Sequence, residues 1–170
     1  GAIGITCAKV GEAEAMADAG IIDILIANEV IGAKKIQRLM DLAARCDIMA
    51  AVDNPQNLAD LDAAAAQANV RPRVLLEINI GHNRCGITPG AAAVALARQA
   101  AACAHLRFAG IMGYEGHVVD LEDKQERESG AHQCIQRLVD TRADLEQAGL
   151  DVEIVSASGT GDYYISTTYD

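Results

Sequence analysis

The chain has 170 residues, 51% of them hydrophobic, and a formal net charge of −10. That is enough apolar material for one domain with a core and too much for a disordered chain. The acidic balance argues against nucleic acid or an anionic membrane as partner, because both need a basic footprint.

No apolar run approaches the ~20 residues of a membrane span. No basic stretch followed by an apolar segment marks a signal peptide. Aromatic residues are 3% and Trp is absent, so the core must be built from small aliphatic side chains. Cys7, Cys46, Cys85, Cys103 and Cys134 are scattered and form no CxxC. They read as small hydrophobes of a reducing cytoplasm. Residues 1–5 already look like a strand entering a core, and residues 164–170 offer no clear terminating element. A segment of a longer protein is therefore expected.

Taken in order, Ala2 to Ala8 reads as a strand. A helix with Val10, Ala13, Met16 and Ala17 at helical spacing follows and stops at Gly20. Ile22 to Ala27 is a β-branched apolar strand, with Asn28 and Glu29 at its end. Lys34 to Ala44 is an amphipathic helix with Ile36, Leu39, Met40 and Ala43 on one side. Asp47 to Val52 is the third strand. Asp53, Asn54 and Pro55 offer a cap and a first-turn proline, with Asp53 read as the cap, and the helix behind them reaches about Ala68.

Val74 to Ile80 is a nearly continuous apolar run, as expected of a strand covered on both faces. Asn79 lies at its end. It breaks into Gly81-His82-Asn83-Arg84-Cys85-Gly86, a polar loop framed by glycines, and an alanine-rich helix from Gly90 to Ala104 follows. Arg107 to Tyr114 is the fifth strand and ends in Glu115-Gly116-His117. A long helix from about Leu121 to Gln147 leads to a sixth strand, Val152 to Val155. The segment Ser156-Ala157-Ser158-Gly159-Thr160-Gly161 comes next.

Strict alternation of apolar strands and helices means a parallel sheet. An open nucleotide-binding sheet should carry GxGxxG after its first strand, and this chain has Thr6-Cys7-Ala8-Lys9 there. Polar motifs stand after nearly every strand, which favours a barrel whose loops converge on one face. The expected class is α/β, a partial (β/α)₈ barrel with about six strands; six cannot close the ring, in keeping with a truncated chain.

Three places can carry chemistry. Arg84 stands at a strand mouth between glycines that allow close backbone approach, and a guanidinium there suits an anionic or phenolate oxygen. Ser156 to Gly161 offers small, hydroxyl-bearing residues straight after a strand, the composition of a phosphate cradle. Tyr114 at the fifth strand mouth can stack on a flat ring or serve in proton transfer. His117 reads as a solvated loop residue. Lys9 reads as an exposed lysine before a helix, not as a Schiff-base group. No histidine or cysteine spacing in this chain suggests a metal site.

Together, ITCAKVGEAEAMADAG with DILIANEV, INIGHNRCG, GIMGYEGH and SASGTGDYY resemble the alanine-racemase-type (fold type III) pyridoxal-phosphate barrel. Within that class they are most similar to the D-threonine aldolase and D-serine dehydratase group, in the right order over essentially all 170 residues. The resemblance implies Arg84 and Tyr114 as catalytic and cofactor-binding residues. It implies Ser158, Gly159, Thr160 and Gly161 as ligands of the cofactor phosphate, with Gly159 and Thr160 at its centre. It implies a lyase of D-amino acid metabolism that takes a small D-3-hydroxy amino acid and cleaves it by a retro-aldol step. Dehydration, racemisation and a non-catalytic pyridoxal-phosphate carrier stay open. The group's Schiff-base lysine would precede residue 1. Its divalent metal (Mn, Mg or Zn) would bind in a following C-terminal β-domain, and the full-length protein would be a cytoplasmic homodimer. Residues 1–170 would then be a single barrel domain, inactive alone, lacking the first and last barrel strands.

Overall fold

A computed structural model describes residues 2–169. The chain divides into two compact units, Gly1–Leu75 with Arg98–Ala109, and Leu76–Ala97 with Gly110–Asp170. The element order is β1 (Ile5–Cys7), α1 (Val10–Asp18), β2 (Asp23–Glu29), α2 (Ala33–Ala43), β3 (Asp47–Val52), α3 (Pro55–Ala68), β4 (Arg73–Glu77), α4 (Ala91–Ala102), β5 (Arg107–Met112), α5 (Lys124–Gln147), β6 (Ile154–Ser156) and α6 (Tyr163–Ser166). The strands follow one another in a six-stranded sheet, in the order β1-β2-β3-β4-β5-β6. β1 with β2, β2 with β3, and β5 with β6 pair in parallel. A doubly wound sheet reverses its strand order at a switch point, whereas the wall of a barrel advances one strand at a time. The unbroken order is the barrel's, so the expected class holds.

In the first unit, β2 and β3 bury Ile24, Ile26 and Ile48 almost completely, and α2 lays Ile36, Leu39 and Met40 on the core. β1 is shorter than its apolar run suggests and pairs only over Ile5–Cys7. Ahead of it, Gly4 lies so close to the Asp23 carbonyl that a Cβ would stand 2.4 Å from the oxygen. The cap of α3 is Asn54, not Asp53: its side chain accepts from the N–H groups of Gln56 at 2.8 Å and Asn57 at 3.4 Å. Arg73, only 6% exposed, opens β4 and pairs with Asp23 at 3.0 Å and Asp47 at 2.6 Å. A buried guanidinium is tolerable only with such partners.

In the second unit, Leu76, Ile78, Ile80 and Ile111 are fully buried. α5, capped by the Asp123 side chain, turns Ala131, Cys134, Ile135, Leu138 and Leu145 inward. A small apolar cluster of Val118, Ala131 and Ile165, with Leu121 against it, ties α5 to α6 and to the segment after β5. The α6 turn is an element that the sequence pattern does not announce. Among the described residues no helix is long and apolar enough to cross a membrane.

Candidate active site

The residues with chemical potential in the second unit lie on three loops, those after β4, β5 and β6. The first is closed into a ring by its own backbone. Beyond β4, Ile78 bridges Ile87 in parallel, with the Ile87 N–H donating to the Glu77 carbonyl and the Asn79 N–H to the Ile87 carbonyl. Asn79 organises the inside of the ring. Its Oδ1 accepts from the N–H groups of Gly81 at 3.1 Å and Asn83 at 3.2 Å, and its Nδ2 donates to Asn83 Oδ1 at 2.9 Å. Asn83 answers from a left-handed backbone (φ 55°) by donating Nδ2 to the Gly81 carbonyl. At the closing end Gly86 has φ 98°, and a Cβ on it would lie 2.6 Å from the Asn79 nitrogen, so only glycine fits. Cys85, next to Arg84, donates its thiol to the buried Glu77 carboxylate at 2.7 Å.

This ring presents Arg84 to the second loop. The Arg84 guanidinium carbon lies over the Tyr114 ring, 5.7 Å from its centre, within cation–π range. His82 meets the same ring edge-on at 5.9 Å. Glycines flank the phenol on both edges. A Cβ on Gly116 would come within 2.4 Å of Tyr114 Cε1, and one on Gly159 would stand 3.4 Å from Cε2 and 3.6 Å from the hydroxyl. Arg84, Tyr114 and Gly159 are thus brought together, although 75 residues separate the first from the last.

The third loop is more divided than its composition suggests. Ser158 has φ 74°, and its N–H and hydroxyl both turn to the Glu115 carboxyl, at 3.2 and 2.8 Å. The same hydroxyl stands against that of Ser166. The Gly159 N–H donates to Asp162 Oδ1 at 2.9 Å. Two of the amides expected in a phosphate cradle are therefore taken by carboxylates. Thr160 and Gly161 are exposed, and their N–H groups make no hydrogen bond among the described residues.

Sequence reading did not single out Glu115 or Asp162, and both are fully buried. Carboxylates next to glycines in polar loops look like solvated charges, and only the tertiary fold encloses them. Burial pushes the Glu115 carboxyl above the usual range, with the Asp162 charge adding to the rise and the Ser158 hydrogen bond opposing it. His117 is exposed in a turn, as expected, and it also has ring and sulfur neighbours. Its ring stacks on His82 at 5.8 Å, and its Nε2 lies 3.7 Å from the buried Cys134 sulfur. Burial first, then electrostatic interaction with His82 and Arg137, holds its imidazole below the usual range. Lys9 is exposed at the start of α1, as expected.

Such a site is chemically coherent. It offers a planar cation, a phenol and a glycine-lined loop with available N–H groups, which suit an anionic aromatic ligand carrying a phosphate. Residues 1–170 match the alanine racemase N-terminal domain. The chain belongs to that family. It is 39% identical over 168 residues to the 3-hydroxy-D-aspartate aldolase of Paracoccus denitrificans (strain Pd 1222), covering 98% of this chain and 43% of that protein. It is 37% identical over 161 residues to a D-threonine aldolase of Arthrobacter sp, covering 95% and 42%. Its fold matches the crystal structure of D-threonine aldolase from Filomicrobium marinum with a TM-score of 0.96 at 41% identity, covering 99% of this chain and 46% of that one. This alanine racemase N-terminal domain chain thus spans less than half the length of the aldolases it matches.

Proposed function

We propose that the full-length protein is a pyridoxal 5'-phosphate-dependent lyase that cleaves D-3-hydroxy amino acids of the D-threonine type to glycine and an aldehyde. The observation that carries this reading is the convergence of Arg84, Tyr114 and the Gly159 loop in a chain so similar to two aldolases. Bound pyridoxal phosphate supplies an electron sink for the pair left at Cα when the bond to Cβ breaks.

The chain's own residues would do the rest. Arg84 donates to the phenolate oxygen of the cofactor ring, its planar fork fixing the ring's orientation. Tyr114, held edge-on between Gly116 and Gly159, positions the ring and substrate and holds a proton beside them. Thr160 and Gly161 give their N–H groups to the phosphate, while Ser158 and Gly159 shape the turn from beneath. The glycines keep the backbone close to the ligand, where a side chain would stand in its way.

The lysine that would hold the cofactor covalently precedes residue 1 in this reading, and the divalent metal (Mn, Mg or Zn) binds in a following β-domain. Residues 1–170 are then one barrel domain that is inactive alone. The full-length protein is a cytoplasmic homodimer that takes a small D-amino acid and binds neither nucleic acid nor membrane. The free state of all five cysteines suits a reducing compartment.

The test is product analysis on the full-length protein with D-threonine, D-3-hydroxyaspartate and D-serine, before and after dialysis against a chelator. Glycine and acetaldehyde from D-threonine, lost on chelation and restored by a divalent metal, is the expected result. Pyruvate and ammonia from D-serine, with no glycine from D-threonine, would replace the aldolase by a dehydratase.

A further inference from the structure

Beneath the Ser158–Gly161 loop lie two carboxyl groups to which the reaction just proposed assigns no role. Glu115 and Asp162 are both fully buried. Glu115 grips Ser158 through its N–H and its hydroxyl, and Asp162 grips Gly159 through its N–H. Neither forms an ion pair among the described residues, where the pairs lie elsewhere. Asp162 Oδ2 is buried with no hydrogen-bond donor among the described residues, and the Glu115 and Asp162 carboxyls, held on the neighbouring amides of Ser158 and Gly159, interact with each other. Two ionised carboxylates at such a place would repel in a medium of low polarity. One proton removes a charge and supplies the missing donor in a single step.

We infer that Glu115 and Asp162 share one proton, and that the pair so formed positions the loop by drawing the Ser158 and Gly159 amides inward and leaving those of Thr160 and Gly161 for a ligand phosphate. The part of this that concerns the phosphate rests on the cofactor reading above; the shared proton does not. These are positioning residues that act through the loop.

The arrangement depends on pH in a definite direction. Among the described residues the titratable and charged groups that act on the pair are these. Asp162 faces Glu115 from the start of α6, Cys134 faces both from α5 with Arg137 on the next turn, and His117 lies two residues along the same loop. Removing the shared proton leaves two negative charges under the loop. The turn then loosens, and phosphate affinity falls as pH rises. In the folded protein the Glu115 carboxyl binds its proton beyond the range where the unfolded chain has lost it. Its contribution to stability is therefore full at acid pH and declines with rising pH until the folded carboxyl ionises.

The test uses the full-length protein. Infrared difference spectroscopy should show the C=O stretch of a protonated carboxyl at neutral pH. That band should vanish both in Glu115→Gln and in Asp162→Asn, since either amide leaves a single carboxylate with a donor of its own. Failure to see the band in the wild type, or its survival in both variants, would overturn the inference without any demand that a variant fold well. Protection of the Ser158 and Gly159 amides, with the intrinsic rise of exchange with pH divided out, should fall over the same pH interval in which the wild-type band is lost; protection indifferent to that interval would overturn the positioning role. Pyridoxal phosphate affinity should fall about tenfold in Glu115→Ala, which strands the Ser158 donors, and recover in Glu115→Gln, which keeps an acceptor. Wild-type protein that shows the band and the exchange change but binds no pyridoxal phosphate would defeat the cofactor reading and leave the proton-sharing pair standing.

Discussion

Gly86 closes on Asn79 so tightly that a methyl group on its Cα would lie 2.6 Å from the Asn79 backbone nitrogen. This approach is what turns the loop after β4 into a ring, and the ring fixes where Arg84 leaves the backbone. Any side chain at Gly86 meets both a clash and a left-handed conformation (φ 98°). Gly86→Ala should therefore lower stability by about 1–3 kcal/mol, read as a shift of the denaturant midpoint. A variant as stable as the wild type would mean that the loop can open without loss.

Arg84 over Tyr114 leads to a second expectation. Arg84→Lys keeps the charge and gives up the planar fork. Affinity of the full-length protein for pyridoxal phosphate should fall about tenfold, measured by absorbance titration, since a lysine cannot make the paired, in-plane contact. Unchanged affinity would remove Arg84 from the cofactor's ligands.

Gly159 allows stability and binding to be separated. A Cβ there would meet Tyr114 Cε2 at 3.4 Å, an ordinary contact, and the backbone is not in the left-handed region. Gly159→Ala should leave unfolding within about 0.5 kcal/mol of the wild type. It should nevertheless weaken pyridoxal phosphate binding by about tenfold if a ligand needs the bare backbone beside the phenol. Equal affinity would place the ligand elsewhere.

His117 predicts a pH effect opposite to that of Glu115. Its imidazole is held low by burial, by His82 and by Arg137. As pH falls, the unfolded chain takes up this proton first. Stability should be flat above the ordinary imidazole range, fall on descending through it, and level off once the folded group protonates. In His117→Gln that decline should be shallower. Thermal midpoints measured against pH in the two proteins decide the matter, and declines of equal steepness would exonerate His117.

Much of the architecture could be read along the chain. Apolar β-branched runs such as Ile24–Ile26 can be buried only in a covered parallel strand, and the helices between them carry an apolar face at 3.6 spacing. The family followed from short motifs in fixed order, and in INIGHNRCG both glycines, Gly81 and Gly86, take backbone angles that other residues rarely adopt. Element ends were less legible. Asn54 took the cap from its neighbour Asp53 because its side chain reaches the N–H groups of Gln56 and Asn57. Tyr114 fell outside β5 because the sheet hydrogen bonding gives out at Gly113, which donates to Ser156.

By itself, then, the sequence determined local conformation and the kind of chemistry on offer: where strands run, where glycines bend them, and which loops carry a guanidinium, a phenol and small hydroxyl residues. Only the tertiary structure decided which of these meet. It set Arg84 over Tyr114 and Tyr114 against Gly159. It also enclosed Glu115 and Asp162, which the sequence shows as ordinary loop acids. The reason is physical. Backbone preference acts over a few residues, whereas burial, and with it the affinity of a carboxyl for its proton, is set by whatever the rest of the chain packs around it.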